Sequence, residues 1–272
     1  MSSRDIMPTL SATRRGLGSQ ERAALERIHR SGRAVVRLDR DGGLFAGFGP
    51  NALRLVLKRL VDGGWLRRLE RGTYEVTGLS GAERRGQLAV IADWLDGEPY
   101  VVSGFFALAY WNVTGHSPTT ADVLLPRRKP NVSDGTALYR FIYVPRAKLP
   151  EAREVRVGRG RSLARVATPE RALADVAAGR YAVDLETLRE LFERGVRFGI
   201  LRRRRLLQVL RHAPSAGVRR IGWIAEHSND PLAGALRPLV GNRGYVALDP
   251  RRPARHAARN TEWRLLENAE LF

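Results

Sequence analysis

The sequence predicts an α+β protein, with a small N-terminal domain of helices and a β-hairpin followed by a larger mixed α/β C-terminal domain. Three observations predict this arrangement. Residues 19–80 hold amphipathic helical patterns and then two short strands, residues 81–272 alternate helical and strand patterns, and residues 78–81 have the composition of a linker. Residues 1–18 show no periodicity, so we expect a flexible arm there.

The first domain opens with three short predicted elements. They are a helix at Gln20–His29 with Ser19 as its N-cap, a strand at Ala34–Leu38, and a second helix from Asp39 to Ala46. The glycine-rich stretch at 47–49 then predicts a tight turn.

The most informative segment is the helix predicted after this turn. Its apolar residues recur at positions i, i+3, i+4 and i+7, the spacing of one buried helical face: Leu53, Val56, Leu57 and Leu60. Pro50 suits the first helical position because a proline there loses no helical hydrogen bond. Gly63 and Gly64 predict the end of the helix, since glycine tolerates the left-handed conformation found there.

The opposite face of this helix carries Asn51, Arg54 and Lys58. Asparagine and arginine can make paired hydrogen bonds to adenine and guanine edges, and lysine can contact guanine or phosphate. A β-hairpin is predicted next, with Arg67, Arg68 and Arg71 on or near it as expected contacts to phosphate or the minor groove. Helix, strand, helix, turn, helix and hairpin is the order of a winged helix-turn-helix, which predicts binding to double-stranded DNA.

Charge supports a polyanionic partner. The formal net charge is +19, carried almost wholly by arginine. The last quarter of the chain is its most basic part, with fourteen basic and six acidic residues between 201 and 272. We therefore expect a possible second DNA surface there, centred on Arg202, Arg203, Arg204 and Arg205, with a merely solubilising surface as the alternative.

Several classes of protein are not expected. The chain has no cysteine, which excludes disulfides, cysteine nucleophiles and thiolate metal sites. Its longest apolar run, Tyr100–Val113, is too short to span a bilayer, and no secretory signal is visible, so we expect a cytoplasmic protein without membrane contact. The five histidines show no metal-binding spacing, and no nucleotide-binding or nucleophile motif is found, so we expect no cofactor, no metal and no catalytic residue.

The C-terminal domain is predicted as helices and strands in alternation. The predicted helices include Glu83–Asp96, Ser103–Asn112 with Ser103 as its N-cap, and one opened by Thr168-Pro169-Glu170. Strands are predicted near 121–125, 139–144, 154–157 and 163–166, and the segments 245–248 and 263–266 are predicted to pair.

The ordered motifs resemble the AbiEi family, the antitoxins of bacterial type IV toxin–antitoxin systems. The stretches that carry the resemblance are LKRLVDGGWLRRLERGTYEV, YVVSGFFALAYWNVTG, VATPERALADV and NTEWRLLEN, spread over about residues 20–270. The resemblance implies an N-terminal winged helix that binds operator repeats and represses its own operon, and a C-terminal domain associated with antitoxicity. It also implies a functional partner, a nucleotidyltransferase-like toxin, that is counteracted without a stable complex.

Two other functions stay open from the sequence. A stand-alone winged-helix regulator would have the same N-terminal residues and no toxin partner. A winged-helix-fused nuclease would need an acid and then an acid–x–Lys pattern to hold Mg²⁺. Asp122 lies on a predicted strand, but none of the three lysines, Lys58, Lys129 and Lys148, has an acid two residues before it, so the nuclease is the less favoured alternative.

Overall fold

A computed structural model describes residues 16–77, 86–133, 137–157, 162–181 and 183–269. The chain is a mixed α+β protein that divides into two compact units, one of residues up to Gly97 together with Arg156–Ala164, and one of Glu98–Val155 together with Arg165–Phe272. Most of the predicted arm at 1–18 and the predicted linker at 78–81 lie outside the described residues.

The first unit follows the predicted order of elements. Its helices and strands are α1 (Ser19–Ser31), β1 (Val35–Arg37), a 3₁₀ helix (Gly42–Phe45), α2 (Pro50–Asp62), β2 (Leu66–Glu70), β3 (Thr73–Val76) and α3 (Gln87–Trp94). The three strands form an antiparallel sheet in the order β1-β3-β2. Its core combines the apolar faces of α1 and α2 with the sheet: Ala24, Leu25, Ile28, Val36, Phe45, Val56, Leu57, Leu60, Leu66 and Val76.

Two predictions about helix starts in this unit are wrong. Ser19 is the first residue of α1 and not its cap; Gly18 occupies the cap position without a side-chain hydrogen bond. The second helix is a single 3₁₀ turn at Gly42–Phe45 and does not begin at Asp39. Asp39 instead pairs with Arg37, its Oδ2 lying 2.9 Å from Nη2, and hydrogen bonding by Arg37 lowers the pKa of Asp39.

The sequence predicted that the first domain ends at residue 80, but the first unit extends to Gly97. Asp93 of α3 accepts hydrogen bonds from the Ala34 backbone N–H at 2.5 Å and from the Ser162 hydroxyl at 2.6 Å. Trp94 donates its indole N–H to Glu70 at 2.6 Å. The contacts with Ala34 and Glu70 join α3 to the first sheet and its flanking residue, and the helix predicted at 83–96 lies within the first unit.

The second unit holds most of a six-stranded sheet and six helices. The strands are β4 (Val101–Ser103), β5 (Thr120–Leu125), β6 (Val132–Ser133), β7 (Leu138–Tyr143), β8 (Ala152–Val157) and β9 (Ser162–Ala167), in the order β6-β7-β5-β4-β9-β8. The helices are α4 (Gly104–Tyr110), α5 (Pro169–Ala177), α6 (Leu185–Arg197), α7 (Arg203–Leu210), α8 (Ser215–His227) and α9 (Leu232–Leu236). No helix in the described part of the chain is both long and apolar enough to cross a membrane.

Capping in the second unit follows the sequence at one position and departs from it at another. Thr168 caps α5, accepting a hydrogen bond from the Arg171 backbone N–H, with Pro169 in the first turn as predicted. Ser103 occupies the cap position of α4, as predicted, but its side chain makes no capping hydrogen bond, because its hydroxyl donates to Asp175 at 2.9 Å. The hydroxyl that the local pattern predicted to cap the helix is therefore bound to a buried carboxylate 72 residues later in the chain.

A second, smaller sheet follows the helices. Its strands are β10 (Val246–Ala247), β11 (Ala258–Asn260) and β12 (Leu265–Glu267), with β12 central, parallel to β10 and antiparallel to β11. The predicted pairing of the segments 245–248 and 263–266 is present as β10 and β12.

Two adjacent arginines of α8 hold the segment that forms this small sheet. Arg219 donates to the carbonyl oxygens of Val240, Arg243, Gly244 and Arg264, at 2.7 to 3.4 Å. Arg220 donates to those of Ala247 and Leu248 in the small sheet region and of Ala177 in α5, at 2.7 to 3.1 Å. Burial lowers the pKa of both guanidinium groups.

Candidate nucleic-acid interface

Helix α2 separates a buried face from an exposed one as its sequence predicts. Val56, Leu57 and Leu60 are buried, and Leu53 packs partly buried against the same core. Four of its exposed positions, again at i, i+3, i+4 and i+7, are Asn51, Arg54, Leu55 and Lys58. These four residues, here named the α2 face, therefore lie along one side of the helix.

The start and the end of α2 are fixed by the residues around it. Pro50 is in the first turn, as predicted, and Gly49 at the cap position makes no side-chain hydrogen bond. Arg27 of α1 braces the preceding turn, since its guanidinium donates to the Ala46 carbonyl at 2.7 Å and lies over the Phe48 ring. Gly64 ends the helix with a φ of 70°.

The cations of the α2 face are available to a ligand. In the described part of the chain, neither Arg54 nor Lys58 has a hydrogen bond or an ion pair with another side chain. Arg59, one position further round the helix, is different, because it pairs with Glu21 of α1 at 3.0 Å. Hydrogen bonding by Arg59 lowers the pKa of Glu21, which therefore stays ionised and helps to join α1 to α2.

Leu55 was not among the predicted site residues. It is 48% exposed and sits four residues after Asn51, between Arg54 and Lys58 on the same face. An apolar side chain at an exposed helical position can contact a thymine methyl group. The signal was present in the sequence, because Leu55 lies off the stripe formed by Leu53, Val56, Leu57 and Leu60.

The three hairpin arginines have different surroundings. Arg67 of β2 lies opposite Glu75 of β3 and forms an ion pair with it, the two side chains being 29% and 12% exposed. Arg68 is exposed, and its Nε contacts the Glu70 carbonyl at 3.4 Å. Arg71 is exposed at the turn, next to Gly72 with a φ of 74°. The outward-facing cations of the hairpin are thus Arg68 and Arg71.

The arginine run at the start of α7 is only partly exposed to a ligand. Arg203 binds Asp230 through two nitrogens, at 2.7 and 2.9 Å, and is held within the second unit. Arg202 uses its backbone N–H to bind Glu170 at 3.1 Å, while its side chain is exposed. Arg204 and Arg205 are exposed and, within the described residues, have no acidic partner.

The candidate nuclease residue has a partner of its own. Asp122 lies buried on β5, and Arg140 of the neighbouring strand β7 reaches its carboxylate at 2.5 Å. Burial raises the pKa of Asp122 despite this contact. Across the described residues, no group of three or more acidic or histidine side chains is arranged to hold a metal ion.

The mixed α+β fold of the chain is similar to that of a solved structure. That structure is the RV2827C protein from Mycobacterium tuberculosis, with a TM-score of 0.62, 16% sequence identity and coverage of 92% of each chain. No protein-family model and no curated protein matches the chain. At this identity the similarity concerns the fold alone.

Proposed function

We propose that the chain is a DNA-binding transcriptional autorepressor, with its first unit acting as a winged helix-turn-helix. The observation that carries the proposal is the α2 face, where asparagine, arginine and lysine are exposed together on a helix braced by Arg27 and followed by a hairpin. A helix of this diameter fits the major groove of B-DNA.

The side chains of the α2 face suit direct reading of bases. Arg54 can donate two hydrogen bonds to guanine, Asn51 can pair with adenine, and Lys58 can contact guanine or phosphate. Arg68 and Arg71 extend from the hairpin and suit phosphate or minor-groove contacts, which position a protein on DNA without reading sequence. In this proposal Arg67 stabilises the hairpin, because its guanidinium pairs with Glu75.

We further propose that the protein is the antitoxin of a bacterial type IV toxin–antitoxin system, counteracting a nucleotidyltransferase-like toxin. This part rests on the sequence resemblance of the four stretches quoted above, and its alternative is a stand-alone regulator with the same DNA-binding unit. Coexpression with the neighbouring reading frames of its operon separates the two. Rescue of growth from a toxic nucleotidyltransferase-like product supports the antitoxin, and the absence of any such toxic neighbour favours the regulator.

The DNA-binding proposal is tested by titrating the protein against the DNA upstream of its own gene. Arg54→Ala should cost about 1–3 kcal/mol of binding free energy and relax the preference for one base pair. Arg71→Ala should weaken binding evenly across sequences and flatten the dependence of affinity on salt. The matched control is Arg197→Ala, which removes the same charge from an exposed position at the end of α6. If Arg54→Ala and Arg71→Ala both bound this DNA with the affinity of the unaltered protein, the assignment of α2 as the recognition helix would be overturned.

A further inference from the structure

The small C-terminal sheet has one face packed inward and one face turned outward. Leu265 of β12 is fully buried. Successive residues of a strand point to opposite faces of the sheet, so the residues next to Leu265 lie on the outer face. Leu266 stands opposite both Ala247 of β10 and Arg259 of β11, so these three residues share the outer face. Tyr245 and Arg264 join them, because the guanidinium carbons of Arg259 and Arg264 lie 5.4 and 5.8 Å from the centre of the Tyr245 ring.

The segment that forms this outer face carries several arginines that, within the described residues, no carboxylate neutralises. Six arginines lie between 243 and 264, and two of them pair with carboxylates, Arg251 with Asp184 and Arg252 with Asp249. The other four, within the described residues, contact no carboxylate: Arg243, Arg255, Arg259 and Arg264.

The acidic residues of the same region are directed elsewhere. Asp249 is buried, and Glu262 pairs with Arg237 of the 3₁₀ turn after α9 at 2.5 Å. Glu267 accepts hydrogen bonds from Trp223 and Asn260, at 3.1 and 3.0 Å. None of the carboxylates described between 241 and 269 therefore neutralises the arginines around Tyr245.

A buried cation lies beneath this surface. Arg219 is only 2% exposed, and it holds the backbone of Arg243, Gly244 and Arg264 through their carbonyl oxygens. Burial, and to a lesser extent the charge of Arg264, lowers the pKa of Arg219, so the two positive groups are close enough to repel each other. The backbone just before Tyr245 and the backbone of Arg264 are thus held in place, at the electrostatic cost of clustering like charges.

We propose that this outer face, formed by Tyr245, Arg259 and Arg264, binds single-stranded nucleic acid. Arginines without acidic partners suit the phosphate backbone, and a partly exposed tyrosine ring among them can stack against a base. The face is a short sheet with strands of two or three residues, so it offers no helix that could enter the major groove of a duplex. This site goes beyond the proposed operator binding, which uses the α2 face.

The experiment is a fluorescence-anisotropy titration of the full chain with labelled twelve-residue oligouridine, oligothymidine and a duplex that lacks operator sequence. The double variant Arg259→Ala/Arg264→Ala should weaken binding to the single strands by about tenfold or more. Tyr245→Leu should weaken it by at least about fivefold, while Tyr245→Phe, which keeps the aromatic ring, should retain most of the affinity. The oligouridine and oligothymidine arms establish whether RNA or DNA is the preferred strand.

The matched control is Arg146→Ala/Arg197→Ala, which removes the same charge from two exposed positions outside the proposed nucleic-acid surfaces, one before β8 and one at the end of α6. It should change single-strand affinity less than about twofold, and thermal unfolding verifies that every variant is folded. Equal losses in the two double variants, equal binding of the duplex, or no binding by the unaltered protein at low salt would each overturn the proposal. Operator affinity distinguishes this site from the α2 face, because Arg259→Ala/Arg264→Ala should leave it unchanged and Arg54→Ala should leave single-strand binding unchanged.

Discussion

Arg67 and Glu75 stand directly opposite each other on β2 and β3 and form an ion pair across the hairpin. The neighbouring Arg68 is exposed and points to the other side of the same strand. These two adjacent arginines thus have different roles: Arg67 holds the two strands together, and Arg68 lies at the surface.

The two arginines should therefore respond differently to substitution. Arg67→Ala should lower the free energy of unfolding by about 1–2 kcal/mol, because it leaves a partly buried carboxylate without its charged donor. Arg68→Ala should leave stability almost unchanged and weaken DNA binding. Urea unfolding and a DNA titration of both variants measure the two effects, and a larger stability loss in Arg68→Ala would contradict the assignment.

Leu55 should contribute to DNA binding without contributing to stability. Leu55→Ala removes an exposed side chain, so the unfolding free energy should stay within about 0.5 kcal/mol of the unaltered protein, while operator affinity falls. Leu57→Ala is the control, because Leu57 is buried on the same helix and its truncation should cost about 2–5 kcal/mol of stability. Unchanged operator affinity in a folded Leu55→Ala variant would remove Leu55 from the interface.

Asp184 should make stability depend on pH in acid. It caps α6 by accepting a hydrogen bond from the Thr187 backbone N–H at 2.8 Å, and this bond lowers the pKa of Asp184. A carboxylate with a lowered folded-state pKa stabilises the protein above its unfolded-state pKa of about 3.9 and loses that contribution as pH falls through the folded-state value.

Asp184→Ala should consequently cost about 1 kcal/mol at neutral pH, and the difference from the unaltered protein should shrink below about pH 4. Asp184→Asn keeps an equally good cap without a titrating group, so it serves as the control and should lose less stability. Thermal unfolding across the acid range measures these differences. A penalty for Asp184→Ala that stays constant down to pH 2 would contradict the linkage.

Gly222 should tolerate no side chain. A Cβ atom there would collide with the indole ring of Trp263, which is fully buried and donates its N–H to Glu226 at 2.7 Å. Gly222→Ala should therefore destabilise the protein by about 3 kcal/mol or more, since neither the helix nor the anchored ring can move away cheaply. Gly234→Ala is the matched control in α9, where a Cβ meets open space and alanine should be neutral or mildly stabilising. Differential scanning calorimetry of both variants measures the contrast.

Local sequence patterns were sufficient for helix α2 because its signals lie within a few residues of each other. The buried stripe of α2, its proline in the first turn and its end at Gly63 and Gly64 all follow from spacing and from the conformational freedom of glycine. The exposed positions of Asn51, Arg54 and Lys58 follow from the same periodicity.

The remaining features depend on partners that are distant in sequence. Arg203 is occupied by Asp230, 27 residues later, and Ser103 by Asp175, 72 residues later, so neither role is visible in a local pattern. Strand β11 is three residues long and too short for a periodicity signal to be resolved. The outer face around Tyr245 arises from strand register, which brings together residues that are separated along the chain.

The adjacent arginines of α8, Arg219 and Arg220, restrict the order in which the second unit can fold during synthesis. Arg219 and Arg220 leave the ribosome before the carbonyl groups at Val240, Gly244, Ala247 and Arg264 that satisfy them. Because an arginine keeps its charge when buried, α8 cannot settle into its final environment until those later residues are available. A nascent or truncated chain that ends before them would leave Arg219 without the backbone carbonyls that receive it and Arg220 with only the Ala177 carbonyl, so both guanidinium groups would keep water as their partner and α8 would not pack in its final position.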